Sequence, residues 1–170
     1  MGPCSHIRNI VEVTARRARQ SRRLARLHIL CHGFANNWNL GGRVRIPAAH
    51  GGFELQLAME GLSLFNYGLT SIWNGLVDET VLFACAPTDT ARGNAGTWGY
   101  RRRFCGYLEL TTGARVIATR DSQYDHNNNG PIDFGVWEGP LLEYSGANPD
   151  GARITNPSRY RVQRSRASAA

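Results

Sequence analysis

The stretch "LHILCHGF", Leu27 to Phe34, decides how the rest of the chain is read. Four mostly apolar residues suit a short strand in a covered sheet, and Gly33 is expected to end it. Between the strand and the glycine stand a thiol and an imidazole. By the two-residue period of a strand, Cys31 and His32 face opposite sides, so Cys31 reads as a buried thiol and His32 as a residue at the edge of a cleft. Gly33 would permit the tight turn and close backbone approach that an oxyanion site needs.

A second buried strand, "TVLFACA", ends in Cys85. A thiolate attacks carbonyl carbon well only when a partner holds it deprotonated or takes its proton, and an imidazole is the natural partner. Taken singly, a strand-end histidine is more often structural and such a cysteine more often a small core residue. Taken together, with a helix between them, they point to a base and a nucleophile at the carboxyl ends of strands in an α/β sheet, where active sites form.

The surrounding pattern supports that frame. Ile7, Ile10, Val11, Ala15, Ala18, Leu24 and Leu27 recur near helical spacing and predict a helix from Ile7 to Leu27 with an arginine-rich outer face. Arg43 to Ile46 and Phe53 to Leu57, set off by paired glycines, predict a β-hairpin. Leu62, Phe65, Leu69, Ile72, Trp73 and Leu76 predict a helix from Ser63 to Leu76. "FCGYLELTTGA" reads as a helix stopped by Gly113, and "RVIATR" as a third core strand. Alternating strands and helices give an α/β fold with a mostly parallel central sheet. Residues 1–147 are expected as one domain, and 148–170 as a basic, flexible tail.

The 170 residues are 42% hydrophobic, enough for a folded core, and carry a formal net charge of +7 with every basic side chain an arginine. The arginines gather in "ARRARQSRRLAR" and "RYRVQRSRASAA". Apart from the single Tyr160 neither cluster is interleaved with the aromatics that stack on bases, so nucleic acid is not an expected partner. No apolar run approaches the roughly 18 residues of a membrane span. "MGPCSHIRNI" lacks the apolar stretch of a signal peptide, so a cytoplasmic protein with reduced thiols and no membrane partner is expected.

Two metal readings compete with the thiol chemistry. His28 and His32 stand four apart, which on a helix would suit zinc, but the segment reads as a strand and lacks the glutamate of HExxH. "DHNNNGPID" matches the first nine positions of a calcium loop, with oxygen ligands at Asp125, Asn127, Asn129 and Asp133 and a glycine at the sixth place. Its twelfth place is Val136 instead of the bidentate glutamate, and an Asn-rich turn that binds nothing is the competing reading.

A hydrophobic strand ending in His-Gly, a helix, and a hydrophobic strand ending in Ala-Cys resembles the caspase-fold cysteine peptidases: caspases, metacaspases, separase and the bacterial CHAT-domain proteases. Cys85 follows His32 by 53 residues, close to the roughly 50 that separate the pair in caspases. The resemblance covers approximately Ile7 to Ile117. It implies a caspase-like three-layer sandwich and a cysteine endopeptidase acting on protein or peptide substrates, in a bacterial regulatory or defence role. By carry-over His32 is the catalytic histidine, Cys85 the nucleophile, and the amides of Gly33 and Cys85 the oxyanion hole. No cofactor is required, calcium is a candidate because it activates some metacaspases, and a partner chain or activating signal is a candidate regulator. Phe83 stands where caspases carry the glutamine that helps to recognise aspartate, so aspartate specificity is not implied. The residues after "RVIAT" would border the primary pocket. There Asp121 would favour a basic substrate side chain and Arg120 an acidic one, and only one can point inward. The reading from a different class is a catalytically silent caspase-fold module, or an arginine-rich domain docking on an acidic partner.

Overall fold

A computed structural model describes residues 6–34, 54–57, 60–63, 66–84, 103–121, 123 and 137–160. Helix α1, Ile7–Gln20, buries Ile7, Val11, Ala15 and Ala18, spaced four, four and three residues apart along one face. The indole N–H of Trp73 donates to the Val11 carbonyl at 2.9 Å and anchors that face. The helix ends seven residues earlier than its apolar periodicity predicts. Arg22 adopts a left-handed conformation (φ 64°) and its N–H donates to the Arg19 carbonyl at 3.1 Å. Leu24 then bridges Val77 in parallel, so the leucines that fit the last helical turns belong to extended chain entering the sheet.

That chain runs through β1, Leu27–Leu30, into β2, His32–Phe34. β2 pairs antiparallel with β3, Glu54–Leu57, which pairs with β4, Glu60–Ser63. Gly33 therefore does not end a strand: it lies opposite Leu55 within β2, and the break falls earlier, at Cys31. The expected hairpin partner, 43–46, lies outside the described residues, and the partners that β3 does have are β2 and β4.

The expected helix from Ser63 to Leu76 is replaced by the end of β4 and a 3₁₀ helix, Tyr67–Trp73. Asn66 accounts for the change. Its side-chain oxygen accepts the Ser63 N–H at 2.7 Å and its amide donates to the Gly61 carbonyl at 2.8 Å, turning the chain locally, as asparagine does. Leu62 is a fully buried strand residue whose match to the helical pattern is coincidental.

β5, Glu79–Phe83, is buried along its whole length. Helix α2, Arg103–Thr112, stops as predicted at Gly113, whose φ of 65° suits a residue without Cβ. β6, Arg115–Thr119, is followed by β7, Leu141–Ser145, and β8, Asn148–Arg153. The main sheet has the order β1-β5-β6-β7-β8. β1, β5 and β6 run parallel, and β6-β7 and β7-β8 pair antiparallel. The fold is α/β with a mixed sheet, where a mostly parallel one was expected. The difference comes from the β7–β8 hairpin, whose second strand occupies sequence expected as a flexible tail. Residues 148–160 are built into the domain, and Tyr160 is fully buried.

Helices cover one face of this sheet. Leu82, Val116 and Ala118 meet Val11 and Ala15 of α1 and Phe104 and Leu108 of α2 in one core cluster. On the other face Val81, Phe83, Ile117 and Leu141 meet Tyr160, Trp137 and Ile154. At the amino edge of the sheet the buried carboxylate of Glu79 accepts from Arg26 Nε and Arg115 Nη2, each at 2.6 Å, and from the Tyr160 hydroxyl at 3.3 Å, with Arg159 at 3.6 Å. One side chain thereby joins β1, β5, β6 and the C-terminal 3₁₀ turn. Removing it leaves three guanidiniums without their shared anion, although their partial exposure reduces the penalty. Glu79→Ala is expected to destabilise the fold by about 2–3 kcal/mol, measured by urea denaturation, with Glu79→Gln intermediate.

Candidate functional site

Parallel pairing puts the carboxyl ends of β1, β5 and β6 on one edge of the sheet. Leu30 is in register with Phe83, and the Cys31 N–H donates to the Phe83 carbonyl at 3.0 Å, so β1 and β5 leave the sheet side by side. Two residues beyond Leu30 is His32, which is exposed. It sits at the start of β2, opposite Gln56. Gly33 is buried in extended conformation and is not among the positive-φ glycines, so the tight turn expected there is absent. Cys85 lies outside the described residues, and Ala84 before it is buried in the core.

The other described cysteines are packed residues. Cys31 lies partly buried against the main core cluster, on the side expected for it. Cys105 is fully buried on α2, and burial pushes its thiol well above the ordinary range, which leaves it protonated and unreactive. His28 lies on strand β1, away from any helical pairing with His32. Among the described residues no group of three His, Cys, Asp or Glu side chains could hold a metal ion. The calcium-loop candidates Asp125, Asn127, Asn129 and Asp133 lie outside the described residues.

β6 delivers Arg120 and Asp121 to the same edge. The expectation that only one would turn inward is not met by burial: their side chains are 56% and 48% exposed, and Arg120 Nε lies 3.8 Å from Asp121 Oδ1. Asp121 is nevertheless held closely. Its N–H donates to the Thr119 hydroxyl at 3.2 Å, and that hydroxyl donates to the Glu138 carbonyl at 2.8 Å. The Gln123 side-chain amide donates to the Glu138 carbonyl at 2.9 Å and accepts the Glu138 N–H at 3.2 Å, so one side chain imitates a strand partner. Asp121 then packs over Gly139, where a Cβ would collide with the carboxylate.

Sequence reasoning does not anticipate this clasp. Thr119, Gln123, Glu138 and Gly139 carry no motif, and only the "GP" after Glu138 signals a turn. Nor does it anticipate an aromatic stack beside the edge. The rings of His28 and Phe83 stack at 5.9 Å and those of Phe83 and Trp137 at 4.1 Å, within 15° of parallel. Buried Nδ1 of His28 has no hydrogen-bond partner among the described residues. Desolvation first, and the Arg26 charge second, hold the His28 pKa below its ordinary value of 6.5, with Glu79 opposing.

No helix among the described residues is long and apolar enough to cross a membrane. Comparison with protein-family models, with curated proteins and with solved structures returned no match.

The His28 environment has a measurable consequence. Because the unfolded imidazole binds a proton more readily than the folded one, its contribution to stability is full above about pH 6.5 and declines as the pH falls below that value. In a proton NMR titration the His28 ring resonances are expected to move at a lower pH than those of a histidine in a short peptide. His28→Phe is expected to flatten the acid-side loss of stability.

Proposed function

We propose that the chain is a cysteine endopeptidase of caspase-like, three-layer topology using a Cys85–His32 dyad. The observation that carries this reading is the parallel register of Leu30 with Phe83. It brings the exit of the histidine strand beside the exit of the cysteine strand, and each functional residue follows two positions later. Order β1-β5-β6 adds Arg120 and Asp121 just past the end of the neighbouring strand, where the resemblance expects the substrate pocket.

In this mechanism the Cys85 thiolate attacks the scissile carbonyl carbon, forming a thioester after the tetrahedral intermediate collapses. His32 protonates the departing amine, then takes a proton from the water that hydrolyses the thioester. The backbone amides of Gly33 and Cys85 receive the developing oxyanion. Cys105 cannot substitute as nucleophile, because full burial keeps its thiol protonated and out of reach. Asp121, clasped over Gly139, favours a basic side chain before the scissile bond, and Arg120 beside it disfavours a second cation further out. The protein would act on protein or peptide substrates in the cytoplasm, as a bacterial regulatory or defence protease. Calcium bound by the Asp125–Asp133 segment, or a partner chain, would serve as activating signal.

New N-termini in a proteome digest, identified by mass spectrometry with and without calcium, test the reading. Termini present with the wild-type protein and absent with Cys85→Ala or His32→Ala are expected. No new termini in any condition, together with no selective alkylation of Cys85 near neutral pH, would give the fold to a silent binding module.

The pocket assignment is tested separately with peptides that differ only in the residue before the cut. Arginine peptides are expected to be cut best, and Asp121→Ala to lower their kcat/KM by at least ~10-fold, the scale of one missing charge pair near a surface. Acidic peptides cut best by the wild type would assign the pocket to Arg120 instead.

A further inference from the structure

Arg159, the first arginine of the C-terminal cluster, is more than a hundred residues from the first cluster in sequence and meets it in the fold. α1 ends where the chain turns into β1, so Arg19, Arg22 and Arg23 lie by the amino edge of the sheet, and Arg23 pairs there with Asp78, the residue before β5. Arg26 before β1, Arg115 at the start of β6 and Arg159 of the C-terminal turn gather around Glu79. Arg26 Nη1 also donates to the Arg159 carbonyl at 3.1 Å, a direct link between the two clusters.

Charge at this edge is not balanced. The guanidiniums of Arg23, Arg26, Arg115 and Arg159 already outnumber the carboxylates they pair with, Asp78, Glu79 and Glu143. Arg19 and Arg22 are exposed, as is Arg16 one helical turn back, and none of the three has an ion-pair partner among the described residues. The helix dipole accounts for cations in the last turn of α1. It does not account for those of β6 and the C-terminal turn. The three arginines around Glu79 are held in place by it while their side chains remain 32%, 44% and 50% exposed. Each guanidinium carries five N–H donors, more than one shared carboxylate can use.

From this convergence we infer that the amino edge is a docking surface for a nucleic-acid duplex, gripped through its phosphates without regard to sequence. Fixed arginine forks match phosphate oxygens and supply the electrostatic footprint of backbone binding. The aromatic within the cluster, Tyr160, is fully buried beneath the guanidiniums of Arg26 and Arg159, whose centres lie 5.0 and 4.7 Å from its ring. It cannot stack on a base, so the surface suits the outside of a duplex better than an unpaired strand. The lack of interleaved aromatics argues against base stacking alone, and phosphate binding needs none. The surface lies on the opposite edge of the sheet from His32 and is independent of the peptidase reading.

Fluorescence anisotropy of the full chain with a labelled 20-base-pair DNA duplex of arbitrary sequence, between 50 and 200 mM salt, is the test. The expected plot of log affinity against log salt has a slope of about −4, and an unrelated duplex sequence binds within about 2-fold. Arg16→Gln/Arg19→Gln/Arg22→Gln, all exposed positions that leave the Glu79 cluster intact, is expected to weaken binding at least 10-fold and to make the slope shallower by about 0.9 for each phosphate that is no longer neutralised. Its circular dichroism and thermal transition confirm folding. Arg153→Gln, near the opposite edge, and Cys85→Ala are expected to bind as wild type. Absence of binding at 50 mM salt, or wild-type binding by the triple variant, would overturn the inference. So would a polyglutamate peptide binding more tightly than the duplex at equal salt, which would assign the edge to an acidic protein.

Discussion

The parallel pairing of β1 with β5 is the constraint on which the other elements depend. Neighbouring parallel strands need a crossover connection, because the chain must return to the edge where it started before the second strand can begin. Here the return includes β2, β3, β4 and the 3₁₀ helix, with Trp73 buried against α1. The small sheet is tied back to α1 by Glu60. Its carboxylate accepts the Ile7 N–H at 2.9 Å and pairs with the side chain of His6 at 2.6 Å, capping a helix whose own N-cap residue, His6, makes no side-chain bond to the helix backbone. The strand that begins with His32 is thus held by a contact at the far end of the small sheet, made by a residue with no evident motif.

The sheet has two chemically distinct edges, for one physical reason. Parallel strands put all their amino ends together and all their carboxyl ends together, so residues at equivalent strand positions collect in space. At the amino ends this gathers Arg26, Glu79 and Arg115 into one ion cluster, extended by Arg159 and Tyr160. At the carboxyl ends it gathers His32, Ala84 and the clasped Asp121. The proposed peptidase and the proposed docking surface are therefore separable functions of one sheet.

The clasp around Asp121 shows how a tertiary arrangement can hold the backbone of a surface residue without burying its side chain. Thr119 belongs to β6, Gln123 to the chain just beyond it, and Glu138 and Gly139 to the approach to β7. Their hydrogen bonds extend the antiparallel pairing of Thr119 with Leu141 past the end of the strand. Trp137, next to Glu138, stacks on Phe83, so the end of β5 and the Asp121 clasp share one packed neighbour.

Hydrophobic runs and punctuation in the sequence determined the positions of β1, β5 and β6, the extent and glycine stop of α2, and the α/β class. Each of these rests on local signals: an apolar run of strand length, or a helical period closed by a left-handed glycine. His32, Arg120 and Asp121 follow core strands as the same local signals placed them, and Cys85 lies outside the described residues. Local periodicity could not tell that Leu24 and Leu27 are extended, that Leu62 belongs to a strand, or that residues 148–160 are ordered, because those outcomes depend on partners distant in sequence. Val77 pairs with Leu24, Leu55 with Leu62, and Glu143 with Ala152. The Asp121 clasp, the His28–Phe83–Trp137 stack and the arginine edge likewise exist only once strand order brings their members together, since burial and charge are summed over neighbours in space.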